Sequence, residues 1–596
     1  MESTTMPSTP ETLQTAAQSL VRVMVAHGIT TVFGTVGHGN LSLIDAIAGE
    51  KRLNFVSAFH EQVAIHAADA YFRVSGRVAA VVTTVGPGAT NLTTGLGDAL
   101  LDSSAVIVIT GGVPSEYVRK DPLQSLSVAA DNSQSEIFRP LTKRVFEVGS
   151  SADLVPTFSR AFSEAINGRP GPVLMHVPLD FFAGPVPATN AESVAPARFV
   201  PFPDPAQIAL AAKAIGLAER PVLYCGGGAQ AEGAPEAITE LAREFGIPVA
   251  TTMSGQGVID EDDPLAMGTT GVVGTRPGNT VVREADLVIA VGTRFPEMDT
   301  SSWRSDFFSG FPPAKLIHID IDPLVLNRVF PSDVAINADA AAAVRALRAE
   351  LRSVSPEWSD WSERAATLRE DWSRELEEVR STPSMPFEPA FVLTRLREQL
   401  PAAAVLVSGV GVRHAVAQHY PVRSPRTLVV ASGFGTMGQE TAAPLGAVEA
   451  LPGTPVVAVV GDGAVLACLA ALPTAAAAGE NVTWVVLDNG GYASIAIYQA
   501  KHFGRLLGTD FVDAAGAPYT VDFVQLAQSF GISADRVVSE SELDEKLAAA
   551  IAHGGPSLVV VPITRTPRIQ GTGHWDVNDI FAAGATYSRA GEGGDV

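Results

Sequence analysis

Between residues 12 and 180, helix-spaced apolar patterns such as "LQTAAQSLVRVMVAHG" alternate with short runs apolar at every position, "VAAVVTT" and "SAVIVIT". Strands apolar on both faces belong in a parallel sheet with helices on each side. The same grammar returns twice. From 206 to 350 the strand candidates are "PVLYCGGG", "IPVATT", "DLVIAVGTRF" and "KLIHIDIDP"; from 387 to 563 they are "AAVLVSG", "TLVVAS", "PVVAVVGDG", "VTWVVLDN" and "PSLVVVPI". The expected architecture is α/β, with three consecutive doubly wound parallel-sheet domains over 12–185, 200–355 and 385–565. The stretch "PVPATNAESVAPARFVPFPDP" reads as a linker, and "SPEWSDWSERAATLREDWSRELEEVRST" as a charged, helical surface connection. A polar start, "MESTTMPSTPETLQ", reads as frayed. The tail over 566–596, with "TGHWDVNDIFAAGATYSRAGEGGDV", follows neither period and reads as a flap, a lid or a disordered end.

Length supports this partition, because 596 residues exceed what one core can serve. Charge narrows the partners. With 41 basic against 64 acidic residues the net charge is −23, a field that repels nucleic acid and anionic membrane surfaces. Any phosphate bound here needs a local solution, such as a metal ion or helix N-termini. No apolar run reaches the roughly 18 residues of a membrane span, and no signal-type start precedes the first block, so a cytoplasmic enzyme is expected. Cys225 and Cys468 lack disulfide or metal-site spacing and read as buried structural thiols.

The densest chemistry lies in "GDGAVLACLAALPTAAAAGENVTWVVLDNGG", residues 461–491. An apolar strand ends in a glycine turn carrying Asp462, a helix follows, and the next strand delivers Asn489 to the same sheet edge, where ligands of such sheets bind. An acid beside phosphate makes sense with a cation between them. A carboxylate, an amide oxygen and a backbone carbonyl are hard donors suited to Mg²⁺ or Ca²⁺. GDG, 24 residues (464 to 487) and then "DN" resembles the thiamine diphosphate signature of the decarboxylase and acetolactate synthase superfamily. The resemblance implies that Asp462, Asn489 and the carbonyl of Gly491 bind Mg²⁺. It also implies that Gly461, Gly463 and Ala464 form the diphosphate turn, with Tyr492 beside the cofactor.

Two further stretches extend the likeness. "NFVSAFHEQVAIHAADAYFRVSG", followed by "VVTTVGPGATN", places Glu61 where the family keeps a glutamate on N1′ of the aminopyrimidine, favouring the tautomer that strips the thiazolium C2 proton. That role asks for a desolvated carboxyl with a raised pKa. "ASGFGTMGQETAAPLGAVEA" resembles the segment that wedges the cofactor into its V shape. Met437 would be the wedge, its N–H and the carbonyl of Gly435 bonding the pyrimidine. The bare alternative for Met437 is an irregular core filler. The matches run in the family's order through pyrimidine, middle and diphosphate domains. Because Glu61 and Asp462 lie in different domains, the resemblance implies sites built between subunits of a homodimer or homotetramer. For the middle block it leaves FAD, ADP or no nucleotide open.

Substrate choice lies outside the shared motifs. Acetolactate synthases carry a glycine pair where "VFGTVGHGN" supplies His38, and a glutamine-histidine-glutamine where this chain has "SGVGVRHAV". "GHGN" and "RKDPLQSLSVAADNSQSEIFRPLTK" look more like the branch that hydrolyses a cyclic 1,2-diketone. His38 is a candidate proton donor or acceptor and Gln124 a candidate substrate contact, with Arg413 and His414 further candidates near the cleft. The readings carried forward are a carboligase or lyase of 2-oxo or 2-hydroxy acids, a cyclic-diketone hydrolase, a 2-hydroxyacyl-CoA lyase or oxalyl-CoA decarboxylase type, and a non-catalytic cofactor-binding protein.

Overall fold

The computed structural model describes residues 13–126, 133–188, 197–354, 358–568 and 571–583. The polar start, the middle of the linker and residues 584–596 of the tail lie outside the described residues. Two compact units meet between Phe199 and Val200.

The first unit opens with a small antiparallel ribbon of β1 (Leu13–Thr15) and β8 (Pro185–Pro187). Its main sheet comprises β2 (Thr31–Gly34), β3 (Asn54–Ser57), β4 (Ala79–Thr83), β5 (Val106–Gly112), β6 (Arg144–Glu147) and β7 (Val173–Pro178). All pairs are parallel, in the order β3-β2-β4-β5-β7-β6. The apolar runs singled out above form its centre: β4 and β5 are buried along their whole length. Such runs exclude water from both faces, and each buried Val or Ile contributes about 1.5–3 kcal/mol relative to exposure.

The second unit holds two more six-stranded parallel sheets. One comprises β9 (Pro221–Cys225), β10 (Val249–Thr251), β11 (Ala266–Thr269), β12 (Leu287–Val291), β13 (Lys315–Asp320) and β14 (Val334–Asn337), in the order β11-β10-β9-β12-β13-β14. The other comprises β15 (Val405–Ser408), β16 (Leu428–Val430), β17 (Val456–Gly461), β18 (Val482–Asp488), β19 (Ser533–Arg536) and β20 (Ser557–Pro562), in the order β16-β15-β17-β18-β20-β19. Chain order reverses in the first of these between β9 and β12, and in the second between β15 and β17. Such switch points open a crevice beyond the carboxyl ends of the strands. The expected α/β architecture of three parallel sheets is what the chain forms.

The charged connection is a helix, Ser359–Ser381, but not a purely polar one. Trp361, Ala365, Leu368, Trp372, Leu376 and Val379 form one buried stripe at helical spacing, and Trp361 Nε1 donates to the Pro221 carbonyl at 2.9 Å. Cys225 and Cys468 are free, buried thiols, pushed up to about 12 by burial.

The described part of the tail departs from a free flap, because residues 571–583 are docked. A Cβ on Gly571 would lie 1.9 Å from the Val272 carbonyl oxygen, and one on Gly573 2.1 Å from that of Gly271. Asn279 Nδ2 donates to Thr572 Oγ1 at 2.9 Å, and Trp575 Nε1 to Glu297 Oε1 at 3.1 Å. His574, Asp576 and Asp579 cluster there, but Arg304 lies 3.5 and 3.3 Å from the two acids, so a cation already faces them. Among the described residues no helix is long and apolar enough to cross a membrane.

Candidate active site

In the first unit Glu61 opens the helix Glu61–Ser75 just after β3, and the preceding His60 caps it by accepting the Gln62 N–H at 3.1 Å. The half-buried Glu61 carboxylate is held by neutral donors on both oxygens. Thr35 Oγ1 donates to Oε1 at 2.8 Å, and Asn91 Nδ2 to Oε2 at 2.9 Å. Thr35 follows β2 and Asn91 follows the turn after β4, so neighbouring strand ends converge on one carboxyl. Among the described residues no cation pairs with Glu61. The "GPG" turn beneath it needs its glycines: Gly86 has φ +64°, and a Cβ there would lie 2.6 Å from the Gln124 carbonyl oxygen. A Cβ on Gly88 would sit 3.3 Å from Glu61 Oε1.

Gln124 thus packs over the turn through its backbone, in a positive-φ conformation (+63°), while its buried side-chain Oε1 has no partner among the described residues. His38 lies in the single 3₁₀ turn His38–Asn40 and is exposed.

In the second unit the carboxyl ends of β17 and β18 bring Gly461, Asp462, Gly463 and Ala464 beside Asn489, Gly491 and Tyr492. Asp462 is buried and stitches the two turns together. Its Oδ1 accepts the Gly463 N–H at 2.7 Å, and its Oδ2 accepts from Gly490 at 2.7 Å, Gly491 at 3.1 Å and Asn489 at 3.3 Å. Burial pushes this carboxyl above the usual aspartate range; the N–H bonds oppose that, and the neighbouring Asp488 charge adds to it. Asn489 Oδ1 is buried with no hydrogen-bond partner. An unpaired buried acceptor costs about 1–3 kcal/mol unless something completes it.

These donors fit a hard divalent cation: a desolvated carboxylate, an orphaned amide oxygen and the Gly491 carbonyl, which the Ala493 N–H at 3.0 Å occupies on one lone pair only. Gly463 has a second reason to be glycine, since a Cβ would lie 2.4 Å from Tyr492 Cε1. Tyr492 itself stands edge-on to Phe511, ring centroids 5.2 Å apart.

Met437 is 39% exposed on the turn between β16 and the helix Gln439–Ala450, flanked by Gly435 (φ +75°) and Gly438 (φ +93°). It is therefore not a core filler, the bland reading of a methionine. The turn is anchored toward the Asp462 helix, since Thr441 Oγ1 donates to the Ala464 carbonyl at 3.1 Å.

Other site-forming residues escaped sequence reasoning. Thr35 and Asn91 sat inside stretches already singled out, but nothing there marked them as carboxyl donors. Gln439 and Glu440 directly follow Met437 and are buried, Gln439 with neither amide atom partnered. Burial pushes Glu440 up to about 7, against the Gly438 N–H it accepts at 2.9 Å. His414, by contrast a candidate already named from the sequence, has a buried Nε2 without a partner among the described residues and an imidazole pushed down to about 4, chiefly by burial.

Three parallel α/β sheets, with glycine turns and an acid–amide pair at the carboxyl edge of the third, define a class of α/β proteins whose ligands sit beyond the strand ends. Comparison with known proteins places the chain within that class. Family models for the N-terminal thiamine pyrophosphate-binding domain, the central domain and the C-terminal thiamine pyrophosphate-binding domain of thiamine pyrophosphate enzymes match residues 14–134, 208–347 and 409–561. Relatives match over most of the chain. A probable acetolactate synthase large subunit of Methanocaldococcus jannaschii is 34% identical over 92% of this chain and 91% of its own. The acetolactate synthase large subunit of Parasynechococcus marenigrum is 33% identical over 93% and 88%. The isozyme 2 large subunit of Escherichia coli is 32% identical over 92% and 95%. The chain belongs to the thiamine pyrophosphate enzyme family, as a thiamine diphosphate-dependent enzyme that makes or breaks a carbon–carbon bond next to a carbonyl.

Proposed function

We propose that this enzyme is a carboligase that joins two 2-oxo acids with loss of CO₂, as the names of its acetolactate synthase relatives suggest. The observation that carries the cofactor seat is the orphaned Asn489 Oδ1 beside the buried Asp462 carboxylate. With the Gly491 carbonyl they would hold Mg²⁺, and Gly461, Gly463, Ala464 and Tyr492 would line the diphosphate end. Bound thiamine diphosphate would supply the electron sink for the carbanion left when a carbon–carbon bond breaks. The protein's own part is to place Glu61 on the pyrimidine, to support that ring with Gly435 and Met437, and to choose the substrate, for which His38 and Gln124 are the first-unit candidates.

The domain limits 12–185, 200–355 and 385–565 belong to this reading, with 566–596 as a closing segment. Sites assembled between subunits of a homodimer or homotetramer, in a cytoplasmic enzyme, belong to this reading as the family resemblance implies. The middle sheet's order, with glycine turns after β9 and β12 at the switch point, supports a nucleotide such as FAD or ADP there. Identity along the whole chain with acetolactate synthases favours the carboligase over the diketone-hydrolase and acyl-CoA readings. Purified enzyme given Mg²⁺, thiamine diphosphate and pyruvate should release CO₂ and form a C₅ hydroxy-oxo acid, detected by mass spectrometry. Unchanged pyruvate, with turnover of a cyclic diketone or a hydroxyacyl-CoA instead, would defeat the proposal.

A further inference from the structure

The helix Gln439–Ala450 is buried along most of its length. Apart from Glu449, its polar side chains are gathered in the first turn, next to Met437: Gln439, Glu440 and Thr441. Glu440 is 1% exposed, and its carboxyl folds back over the start of the helix. It accepts the N–H of Gly438 on Oε2 at 2.9 Å and also receives the N–H of Val410. Its Oε1 reaches the turn after β15, where a Cβ on Gly409 would lie 2.9 Å away. Gly409 donates its own N–H to the Val459 carbonyl of β17 at 2.9 Å, so this turn sits at the switch point of the third sheet. One buried carboxyl therefore spans two turns at the carboxyl edge, the one after β15 and the one that carries Met437. Gly435 and Gly438 give the Met437 turn two left-handed residues and little stiffness of its own, so a bond to the Gly438 N–H restrains it.

The strength of that tie depends on one proton. An ionised carboxylate only accepts, and can take the N–H groups of both turns. A protonated carboxyl turns one oxygen into a donor, which then faces donors. Burial pushes Glu440 up to about 7, against the N–H bonds that pull it down, so both forms are populated near neutrality. The titratable side chain that feels its charge is Cys468, at the end of the helix Asp462–Ala467. That thiol stays neutral, pushed up to about 12 chiefly by burial. Arg413 and His414 follow the β15 turn, but the charge of Arg413 is felt with Asp299 and Tyr498, and that of His414 with Arg413.

We propose that Glu440 is a positioning residue whose carboxylate ties the Met437 turn to the turn after β15 and so sets how firmly the pyrimidine is supported. The inference rests on the placement of Met437 against the pyrimidine in the reading above. Thiamine diphosphate, with saturating Mg²⁺, is titrated calorimetrically into wild type and Glu440→Gln at pH 6 and pH 8. The amide cannot ionise, so the ratio of the two affinities cancels the titration of the cofactor and of Asp462. From pH 6 to pH 8 the wild type should gain about 3- to 10-fold over the variant, the size of one hydrogen bond. A ratio unchanged with pH would overturn the inference. A second arm uses the cofactor-free protein and hydrogen–deuterium exchange, corrected for the intrinsic effect of pH. Wild-type peptides covering Val410 and Gly438 should be better protected at pH 8 than at pH 6, and Glu440→Gln should lose that step. Wild type alone carries this arm, so a variant that misfolds does not remove the test. Met437→Ala separates the two possible failures. If it weakens cofactor binding while the affinity ratio stays flat, Glu440 is refuted and the placement of Met437 stands. If it leaves binding unchanged, that placement falls; a protection step then still supports the tie between the turns, and its absence refutes it.

Discussion

The first and third sheets have the same wiring. Numbered along the chain within each sheet, both run 2-1-3-4-6-5, whereas the middle sheet runs 3-2-1-4-5-6. Yet the two matching edges are finished in opposite ways. At the first, Glu61 has each oxygen taken by one neutral donor, Thr35 or Asn91. At the third, Asp462 gathers four backbone N–H groups while Asn489 Oδ1 faces no donor at all. The first carboxyl is thus held in place by neutral side chains, with no cation paired to it among the described residues. An orphaned oxygen beside a desolvated carboxylate asks for a cation. One strand order thus carries a carboxylate held by neutral side chains in one place and one held by backbone N–H groups beside an unpartnered amide oxygen in the other, which is why fold and chemistry must be argued separately.

The sharpest way to break the comparison is to exchange the chemistry at each edge. Glu61→Gln keeps the shape and both neutral donors' neighbourhood but removes the exchangeable proton. Turnover should drop by about 10²–10⁴, the usual worth of general acid–base catalysis, with calorimetric affinity for thiamine diphosphate little changed. Near-wild-type turnover would show that the first edge does no proton chemistry. Asp462→Ala should act on the other quantity. Cofactor affinity in the presence of Mg²⁺ should weaken on the order of 100-fold, because a ligand and the anchor of its partner turn are both lost. If the affinity of Asp462→Ala matches wild type, the metal reading of the third edge fails.

Much of this was legible in the chain. The strands are uninterrupted apolar runs, so β4, β5, β12, β17 and β18 announce themselves, and the spacing from Asp462 to Asn489 is one helix plus one strand. Strand order was not legible, because an apolar run does not say which neighbours it pairs with. The polar residue most informative about the third edge was hidden for a different reason. Glu440 looks like a surface charge in a sequence, and its burial is decided by segments far away, the turns at Gly409 and Cys468. The tail likewise looked irregular because its contacts, at Gly271, Val272 and Glu297, are tertiary.

Glu440 sharpens the contrast through pH. Its folded-state value of about 7 lies above the ordinary 4.5, so the folded chain holds a proton that the unfolded chain releases. Below the ordinary value both states are protonated and no penalty exists. As pH rises from 4.5 through 7 the folded state must either keep the proton or bury a charge, and stability falls, by about 3 kcal/mol at most. Glu440→Gln keeps an acceptor for the Gly438 N–H and removes the titration. The variant should therefore melt higher than wild type at pH 8 and equally at pH 4.5. Equal melting at both pH values would mean that Glu440 is not held protonated near neutrality.

The smallest effect expected is at Thr35. Its hydroxyl gives Glu61 Oε1 a 2.8 Å bond from the end of β2, and Asn91 supplies the other oxygen from the far side. Thr35→Val keeps the β-branched shape and deletes one neutral hydrogen bond, worth about 0.5–1.5 kcal/mol. With one donor left, the carboxyl stays in place but swings more freely, so kcat should fall about 3- to 10-fold without loss of cofactor affinity. Thr35→Ser, which retains the hydroxyl, should recover most of that rate. A valine variant as fast as wild type would mean that Asn91 alone orients the acid, and the symmetry of donors at the first edge would carry no function.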